Sequence, residues 1–245
     1  MEQDAVALIP ARLSAQRLPG KPLKLLAGKP LIRRVFEAVE RTSLFTDIII
    51  LTDSEEIRKA AEDFGGRAII TSSACQSGTE RILEVRASLR QEIVVNVQGD
   101  EPFIDKNSLQ TLLTLFQDEA VSIASLMHRT EDKTALMNPN TVKVAVDHQN
   151  NALYFSRSLI PYCREVNEFN SGLYFRHIGV YAFRRSILPK IALLKPGRLE
   201  QTEKLEQLRW LESGYKIKMS ETDYSGWGID TEEDLRKAEK CFKAE

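Results

Sequence analysis

Four polar clusters in this 245-residue chain carry residue types that can do chemistry together. The first is the stretch Ile9-Pro-Ala-Arg-Leu-Ser-Ala-Gln-Arg-Leu-Pro-Gly-Lys-Pro22, which packs Arg12, Arg17 and Lys21 into ten residues. Two guanidinium forks, a compact ammonium and a glycine that lets the backbone approach a ligand all suit phosphate oxygens. The loop is not a Walker A sequence: Gly20-Lys21 is followed by Pro22 rather than Ser or Thr, and the Gly-x4-Gly spacing is absent. A solvated surface loop is the plain alternative. The second cluster, Gln98-Gly-Asp-Glu-Pro102, sets two carboxylates side by side after a buried strand, where only solvent or a cation can compensate them. A further acid, Asp230, ends the segment Gly226-Trp-Gly-Ile-Asp230. Hard oxygen donors of this kind suit Mg²⁺, which takes one or two carboxylates together with substrate phosphates. Asp100 or Asp230 taken singly also reads as a turn or cap residue.

In the third cluster, Gln76-Ser-Gly-Thr-Glu-Arg81, hydroxyls from Ser77 and Thr79 converge with Gly78 and Arg81 at an expected helix start. That position suits either an oxyanion or simple capping. The fourth, Thr52-Asp53-Ser54, is explained well by a helix cap. A basic loop beside an acidic metal site is a general arrangement for attack on a nucleotide phosphate, in which the protein positions groups and neutralises charge.

The elements that must position these clusters follow from apolar patterning. Residues 5–9 form a short continuous apolar run bounded by proline, which predicts a strand buried on both faces of a parallel sheet. From Pro30 the spacing of Leu31, Ile32, Val35, Phe36 and Val39 predicts a helix. Strands are expected at 47–51, 67–70 and 93–97, alternating with helices at 55–64 and 79–89. Such alternation predicts a Rossmann-like α/β fold, a mostly parallel central sheet with helices on both faces. The basic loop and the Asp100 cluster both fall at carboxyl ends of strands, where open α/β sheets bind ligands. Beyond residue 120 the rhythm loosens. Strands at 121–126, 142–146, 153–155 and 178–183 predict a smaller mixed β excursion over 141–183 within a single domain spanning 1–245. Helices at 199–212 and from Thr231, with a Thr231/Asp234 capping box, complete the chain.

Composition is that of an ordinary globular protein. The chain holds 34 basic and 35 acidic side chains, which disfavours a broad polyanion-binding surface. Cys75, Cys163 and Cys241 are distant and odd in number, so neither a zinc cluster nor a disulfide framework is expected. The first residues lack a signal-peptide pattern and no apolar run reaches the roughly 20 residues of a membrane span. A cytoplasmic location is therefore expected, without a membrane or nucleic-acid partner.

Across almost the whole chain, motifs appear in one order: Arg17-Leu-Pro-Gly-Lys-Pro-Leu23, Gly28-Lys-Pro30, Ser77-Gly-Thr-Glu-Arg81, Val95-Asn-Val-Gln-Gly-Asp-Glu-Pro102, Asn138-Pro-Asn, Val142-Lys-Val144, Ala152-Leu-Tyr-Phe-Ser-Arg157, His177-Ile-Gly-Val-Tyr181 and Leu205-Glu-Gln-Leu-Arg209. Together with Ile9-Pro-Ala-Arg12 they closely resemble the 3-deoxy-manno-octulosonate cytidylyltransferase family. The resemblance implies a nucleotidyltransferase-type fold that couples CTP to the acidic sugar Kdo with Mg²⁺, giving CMP-Kdo and pyrophosphate for lipopolysaccharide assembly. It implies that Arg12 and Lys21 face the CTP phosphates with Arg17 assisting, and that Ser77, Gly78, Thr79 and Arg81 surround the nucleotide. Gln98 would lie near cytosine or ribose, and Asp100 and Asp230 would hold Mg²⁺. Arg157, His177, Tyr181, Glu206 and Gln207 match the acceptor pocket, with Arg157 paired to the sugar carboxylate. A homodimer through residues 141–183 is implied in the same way.

Two departures stand out. Ala15 and Gln16 replace the Ser and Ser/Thr usual in the family loop, and Trp227 stands where a smaller residue is usual, which would narrow the metal-side entrance. A related acidic sugar, such as 8-amino-Kdo or a sialic acid, is the nearest rival acceptor. A catalytically silent nucleotide-binding protein is disfavoured by the intact Lys21, Asp100 and Asp230. A metal-dependent glycosyltransferase is disfavoured because Gly-Asp-Glu-Pro lacks Asp-x-Asp spacing.

Overall fold

The computed structural model describes residues 4–14, 17–164 and 174–242. Ala15 and Gln16, the two departures in the basic loop, lie outside the described residues. The chain divides into two compact units, Met1–Leu109 with Gly226–Glu245, and Gln110–Ser225.

The first unit follows the expected alternation: β1 (Ala5–Ala11), two-residue strands β2 (Leu25–Leu26) and β3 (Lys29–Pro30), α1 (Leu31–Thr42), β4 (Asp47–Thr52), α2 (Glu55–Asp63), β5 (Arg67–Ile70), α3 (Gly78–Val85) and β6 (Ile93–Asn96), after which α4 (Lys106–Thr114) begins. Residues 5–9 are wholly buried, as a continuous apolar run requires of a central strand. The strands order as β6-β1-β4-β5, and all three pairings are parallel. Passing from β1 through β4 to β5 moves one way across this sheet, and passing from β5 to β6 moves back. Right-handed crossovers therefore put α1 and α2 on one face and α3 on the other. Helix α1 buries Leu31, Ile32, Val35, Phe36 and Val39, the stripe read from the sequence, and packs on β1 and β4.

The second unit holds β7 (Ile123–Arg129), α5 (Lys133–Met137), β8 (Lys143–Val146), β9 (Ala152–Ser156), β10 (Phe175–Arg184), α6 (Leu188–Ile191), α7 (Arg198–Glu203), α8 (Gln207–Glu212) and β11 (Lys218–Glu221). It is mixed: β10 pairs antiparallel with β7 and β8, β8 with β9, and β11 runs parallel to β7. One expectation needs correcting. The single helix expected at 199–212 is two short helices, because Lys204 takes a left-handed conformation (φ 54°) and ends α7 with its N–H on Glu200 O. Helix α9 (Glu232–Phe242) returns to the first unit, and the Thr231/Asp234 box forms: Asp234 N donates to Thr231 Oγ1 while the Asp234 carboxylate accepts from Thr231 N.

The strand-end loops of the first unit pack tightly on one another. A Cβ at Gly99 would stand 2.5 Å from Pro10 O, a backbone atom that cannot yield without moving β1. Gly99→Ala is expected to lower stability by about 1–3 kcal/mol in urea unfolding, the usual cost of overpacking; an unchanged midpoint would show that the two loops are not held at this distance.

Candidate active site

The basic loop is built by its glycine and its apolar residue as much as by its cations. Gly20 adopts a left-handed conformation (φ 67°) that few other residues tolerate, and its N–H closes the loop on Leu13 O at 3.2 Å. Lys21 then opens a 3-10 turn whose second residue is Pro22. The proline that breaks the Walker pattern is thus favourable here, with its fixed φ and missing donor suited to a first helical turn. Leu18 is buried in a small cluster with Leu26, Leu31, Ile229 and Ala238, beside Phe103, Leu235 and Phe242. That cluster anchors the basic loop and the residue preceding Asp230 in the same apolar patch.

The charged side chains above it converge. Lys21 Nζ donates to Asp100 Oδ2 at 2.6 Å and to Asp230 Oδ1 at 3.0 Å, and Arg17 Nη2 donates to Asp230 Oδ2 at 2.9 Å. Burial of Lys21 would lower its pKa, but the charges and hydrogen bonds of Asp100 and then Asp230 outweigh it and raise the pKa above the ordinary lysine value. Lys21 is therefore an ammonium throughout the neutral range. Ile229 N donates to Asp100 O at 2.9 Å, tying the segment that carries Asp230 to the loop that carries Asp100.

Arg17, Lys21, Asp100 and Asp230 line a cleft of about 490 Å³ together with Arg12, Gln76, Ser77, Gly78, Arg81, Gln98 and Gly99. Arg12 is exposed on it. Ser77 caps α3 by accepting from Glu80 N at 3.1 Å, while Glu80 reaches back to Gln76 N, so the capping alternative holds for this hydroxyl. Gly78 sits where a Cβ would touch the Pro10 ring at 3.0 Å. Gln98 Nε2 lies 3.4 Å from Asn96 Oδ1. Two of the expected nucleotide residues are buried. The Thr79 hydroxyl is buried without a partner among the described residues, and Thr79 is not part of the cleft lining. Arg81 is nearly inaccessible and donates to Thr71 Oγ1 at 2.7 Å, Ser72 O at 3.2 Å and Asp53 Oδ2 at 2.8 Å. Of Asp53 and Ser54, either of which reads as a cap, Ser54 caps α2 and Asp53 is Arg81's counter-ion. Trp227 stacks on Phe103 with ring centroids 5.0 Å apart and does not line the cleft.

Asp100 and Asp230 can hold a hard divalent cation. Their oxygens already converge on one positive centre, the Lys21 ammonium, and their donor chemistry is that of a Mg²⁺ site completed by substrate phosphates. No group of three or more His, Cys, Asp or Glu side chains that could hold a metal ion occurs among the described residues.

The acceptor residues expected from the sequence all fall in the second unit. His177 and Tyr181 are neighbours on β10, with ring centroids 5.3 Å apart, and Tyr181 packs edge-on against Trp210. Burial and then the nearby Glu206 carboxylate push the Tyr181 phenol well above its ordinary pKa, so Glu206 shares this environment. Gln207 is buried at the start of α8. His177 Nε2 lies 2.9 Å from Ser125 Oγ, which is also within hydrogen-bond distance of Val180 O at 2.8 Å and Ile178 O at 3.2 Å. Arg157 stands at the end of β9 with donors on Glu203 O, Pro139 O and Lys204 O, which uses three of its five N–H groups.

Sequence reasoning missed what holds this second group. Lys143 is fully buried and its ammonium donates to Asn138 O, Thr141 O and Arg157 O. Glu203 accepts from Ser156 Oγ at 2.6 Å and Arg157 N at 2.9 Å. Only the rarity of lysine at an inward strand position could have flagged Lys143.

A cytidylyltransferase family model matches residues 6–217. The chain is 44% identical to a 3-deoxy-manno-octulosonate cytidylyltransferase of Porphyromonas gingivalis, covering 97% of this chain and 96% of that protein. It is 47% identical to one of Flavobacterium johnsoniae, covering 97% and 98%. Among solved structures, that of CMP:2-keto-3-deoxy-manno-octonic acid synthetase complexed with CTP superimposes with a TM-score of 0.92 at 38% identity, over 99% of both chains. A 4-diphosphocytidyl-2C-methyl-D-erythritol synthase of Anaerococcus prevotii, at 15% identity and a TM-score of 0.65, shares the fold over 99% of this chain and all of its own.

Burial, with a smaller contribution from Arg176, lowers the His177 pKa from 6.5 to about 3. A depressed folded-state value means the unfolded chain binds the proton first, so this stability is present above pH 6.5 and is lost as pH falls toward 3. Between pH 7.5 and pH 5 the loss from His177 is about 2 kcal/mol. His177→Phe is expected to show a correspondingly smaller acid destabilisation in urea unfolding at the two pH values; equal pH dependence in variant and wild type would show that His177 titrates alike in the folded and unfolded chain.

Proposed function

The chain belongs to the 3-deoxy-manno-octulosonate cytidylyltransferase family, and from that premise we propose how its residues transfer CMP from CTP to the anomeric hydroxyl of Kdo with release of pyrophosphate, a step supplying lipopolysaccharide assembly. The observation that carries the residue roles is the convergence of Lys21 and Arg17 on Asp100 and Asp230 at the carboxyl ends of β1 and β6. Cations for a triphosphate and acids for a divalent cation occupy one cleft.

Arg12, Arg17 and Lys21 bind the phosphates and screen charge that spreads over their oxygens during in-line displacement at the α-phosphorus. Gly78 lets the start of α3 approach the nucleotide, with Ser77 and Gln98 at its side. Asp100 and Asp230 hold Mg²⁺, which when bound supplies charge neutralisation and lowers the pKa of the attacking sugar hydroxyl. Arg81 acts from behind, by holding α3 in place through Thr71, Ser72 and Asp53. In the second unit, Arg157 offers its two remaining N–H groups to the sugar carboxylate. His177, Tyr181, Glu206 and Gln207 receive the sugar hydroxyls. The chain acts in the cytoplasm as a homodimer through residues 141–183, of which 165–173 lie outside the described residues.

Pyrophosphate release, measured with each of four nucleoside triphosphates crossed against Kdo, 8-amino-Kdo and sialic acid, with and without Mg²⁺, tests this reading. Turnover is expected with CTP and Kdo only and to require the metal. Asp100→Asn is expected to cut that turnover by about 100-fold or more while the protein still unfolds cooperatively in urea, since Asp100 is a part-exposed loop residue. No turnover with any acidic sugar would overturn the assignment, and full activity in Asp100→Asn would remove this residue from the mechanism.

A further inference from the structure

Lys21 occupies an unusual position for a phosphate ligand, because its ammonium bonds the two carboxylates that the reading above assigns to the metal. The contacts are short, 2.6 Å to Asp100 and 3.0 Å to Asp230, and Lys21 is the least exposed member of the group. With Arg17 on the second Asp230 oxygen, two negative and two positive side chains balance within the cluster. We propose that the Lys21 ammonium is the resident cation of the Asp100–Asp230 pair, so that a divalent metal is held strongly only when a nucleoside triphosphate is present to accept Lys21. The inference rests on the assignment of Asp100 and Asp230 as metal ligands and adds an order to it.

Three physical points carry it. A divalent ion entering the pair while Lys21 stays would meet a like charge within about 3 Å of the oxygens it needs, a repulsion of several kcal/mol at the effective dielectric of a protein surface. It would also leave the cluster with two uncompensated positive charges, whereas a triphosphate brings negative charge of its own. Finally, lysine is suited to exchange partners: its compact charge rides on a flexible four-carbon stem, unlike a guanidinium fixed by its fork. The anionic oxygens of the nucleotide offer the ammonium a second set of acceptors. By linkage, whatever the nucleotide adds to metal affinity the metal adds to nucleotide affinity.

The test is binding of Mn²⁺ alone, read by the loss of the free-ion electron paramagnetic resonance signal, with no sugar and no turnover. Nucleotide-free wild type is expected to bind Mn²⁺ weakly, and CTP is expected to tighten binding to the protein by about tenfold or more, within the range of coupled sites, once the Mn²⁺–CTP complex formed without protein is subtracted. Lys21→Met, which keeps the stem and removes the charge, is expected to bind Mn²⁺ about tenfold tighter than wild type without nucleotide. Adding Asp100→Asn to that variant should abolish the gain. Urea unfolding of each variant establishes that the protein compared is folded, and Lys21→Gln provides a second neutral side chain. Equal Mn²⁺ affinity in wild type and both Lys21 variants would overturn the proposal, as would a gain that survives Asp100→Asn. Neither result depends on the identity of the sugar, so failure here is distinguishable from failure of the pyrophosphate assay.

Discussion

The cleft depends on one electrostatic constraint: two carboxylates brought together at the end of a buried parallel sheet must find positive charge nearby. Asp100 follows β6, Asp230 precedes α9, and Lys21 and Arg17 follow β1, so three segments far apart in sequence meet at a single ammonium. Charge alone would not hold them there, since exposed pairs such as Arg17–Asp230 are worth about 0–1 kcal/mol. Non-polar and backbone contacts do the positioning. Leu18 and Ile229 bury themselves in one cluster, Ile229 N bonds Asp100 O, and Gly99 and Gly78 let their loops close on Pro10.

The same logic recurs with less exposed groups, at the back of the cleft and in the second unit. Arg81 is nearly inaccessible, and its guanidinium is matched by a carboxylate, a hydroxyl and a carbonyl. Lys143 is wholly buried and finds three carbonyl oxygens, and burial together with the Arg157 charge, against the Glu203 carboxylate, lowers its pKa. Removing a partner from such groups leaves an uncompensated buried charge, which costs far more than an ordinary contact. These cations work by holding backbone: Arg81 ties α3 to the end of β5, and Lys143 ties the 138–141 turn to the end of β9.

The parallel half of the fold was legible because its strands are continuous apolar runs and its helices carry clear stripes; β1, α1, β4, α2, β5 and β6 fall where patterning puts them. Patterning was weaker beyond residue 120. Strand β11 is four residues long with an alternation too short to mark, and the break between α7 and α8 turns on one left-handed lysine that no composition rule requires. In the cleft, the residue types pointed to phosphate and metal chemistry, and the structure brings Arg12, Arg17, Lys21, Ser77, Gly78, Arg81, Gln98, Asp100 and Asp230 to its lining. What could not be read was how much of each side chain is spent on the protein itself. Arg81 looks the same in a string of letters whether its fork faces a ligand or Asp53.

This division between charge and geometry bears on the unusual loop. A Walker loop relies on a hydroxyl after its lysine to reach the metal, and on a run of backbone donors to cradle phosphate. Here Pro22 removes both the hydroxyl and a donor, and the carboxylates proposed to hold the metal come from two other segments, where they accept from Lys21. The loop's task reduces to delivering positive charge at the right depth. Coulomb attraction falls slowly with distance, whereas a hydroxyl contact is lost within an ångström. A loop that acts through charge is therefore more tolerant of hydroxyl loss than of charge loss. Replacing the family's Ser and Ser/Thr by Ala15 and Gln16 leaves Arg12, Arg17 and Lys21 in the loop, with the Gly20 turn still setting Lys21 against its acids.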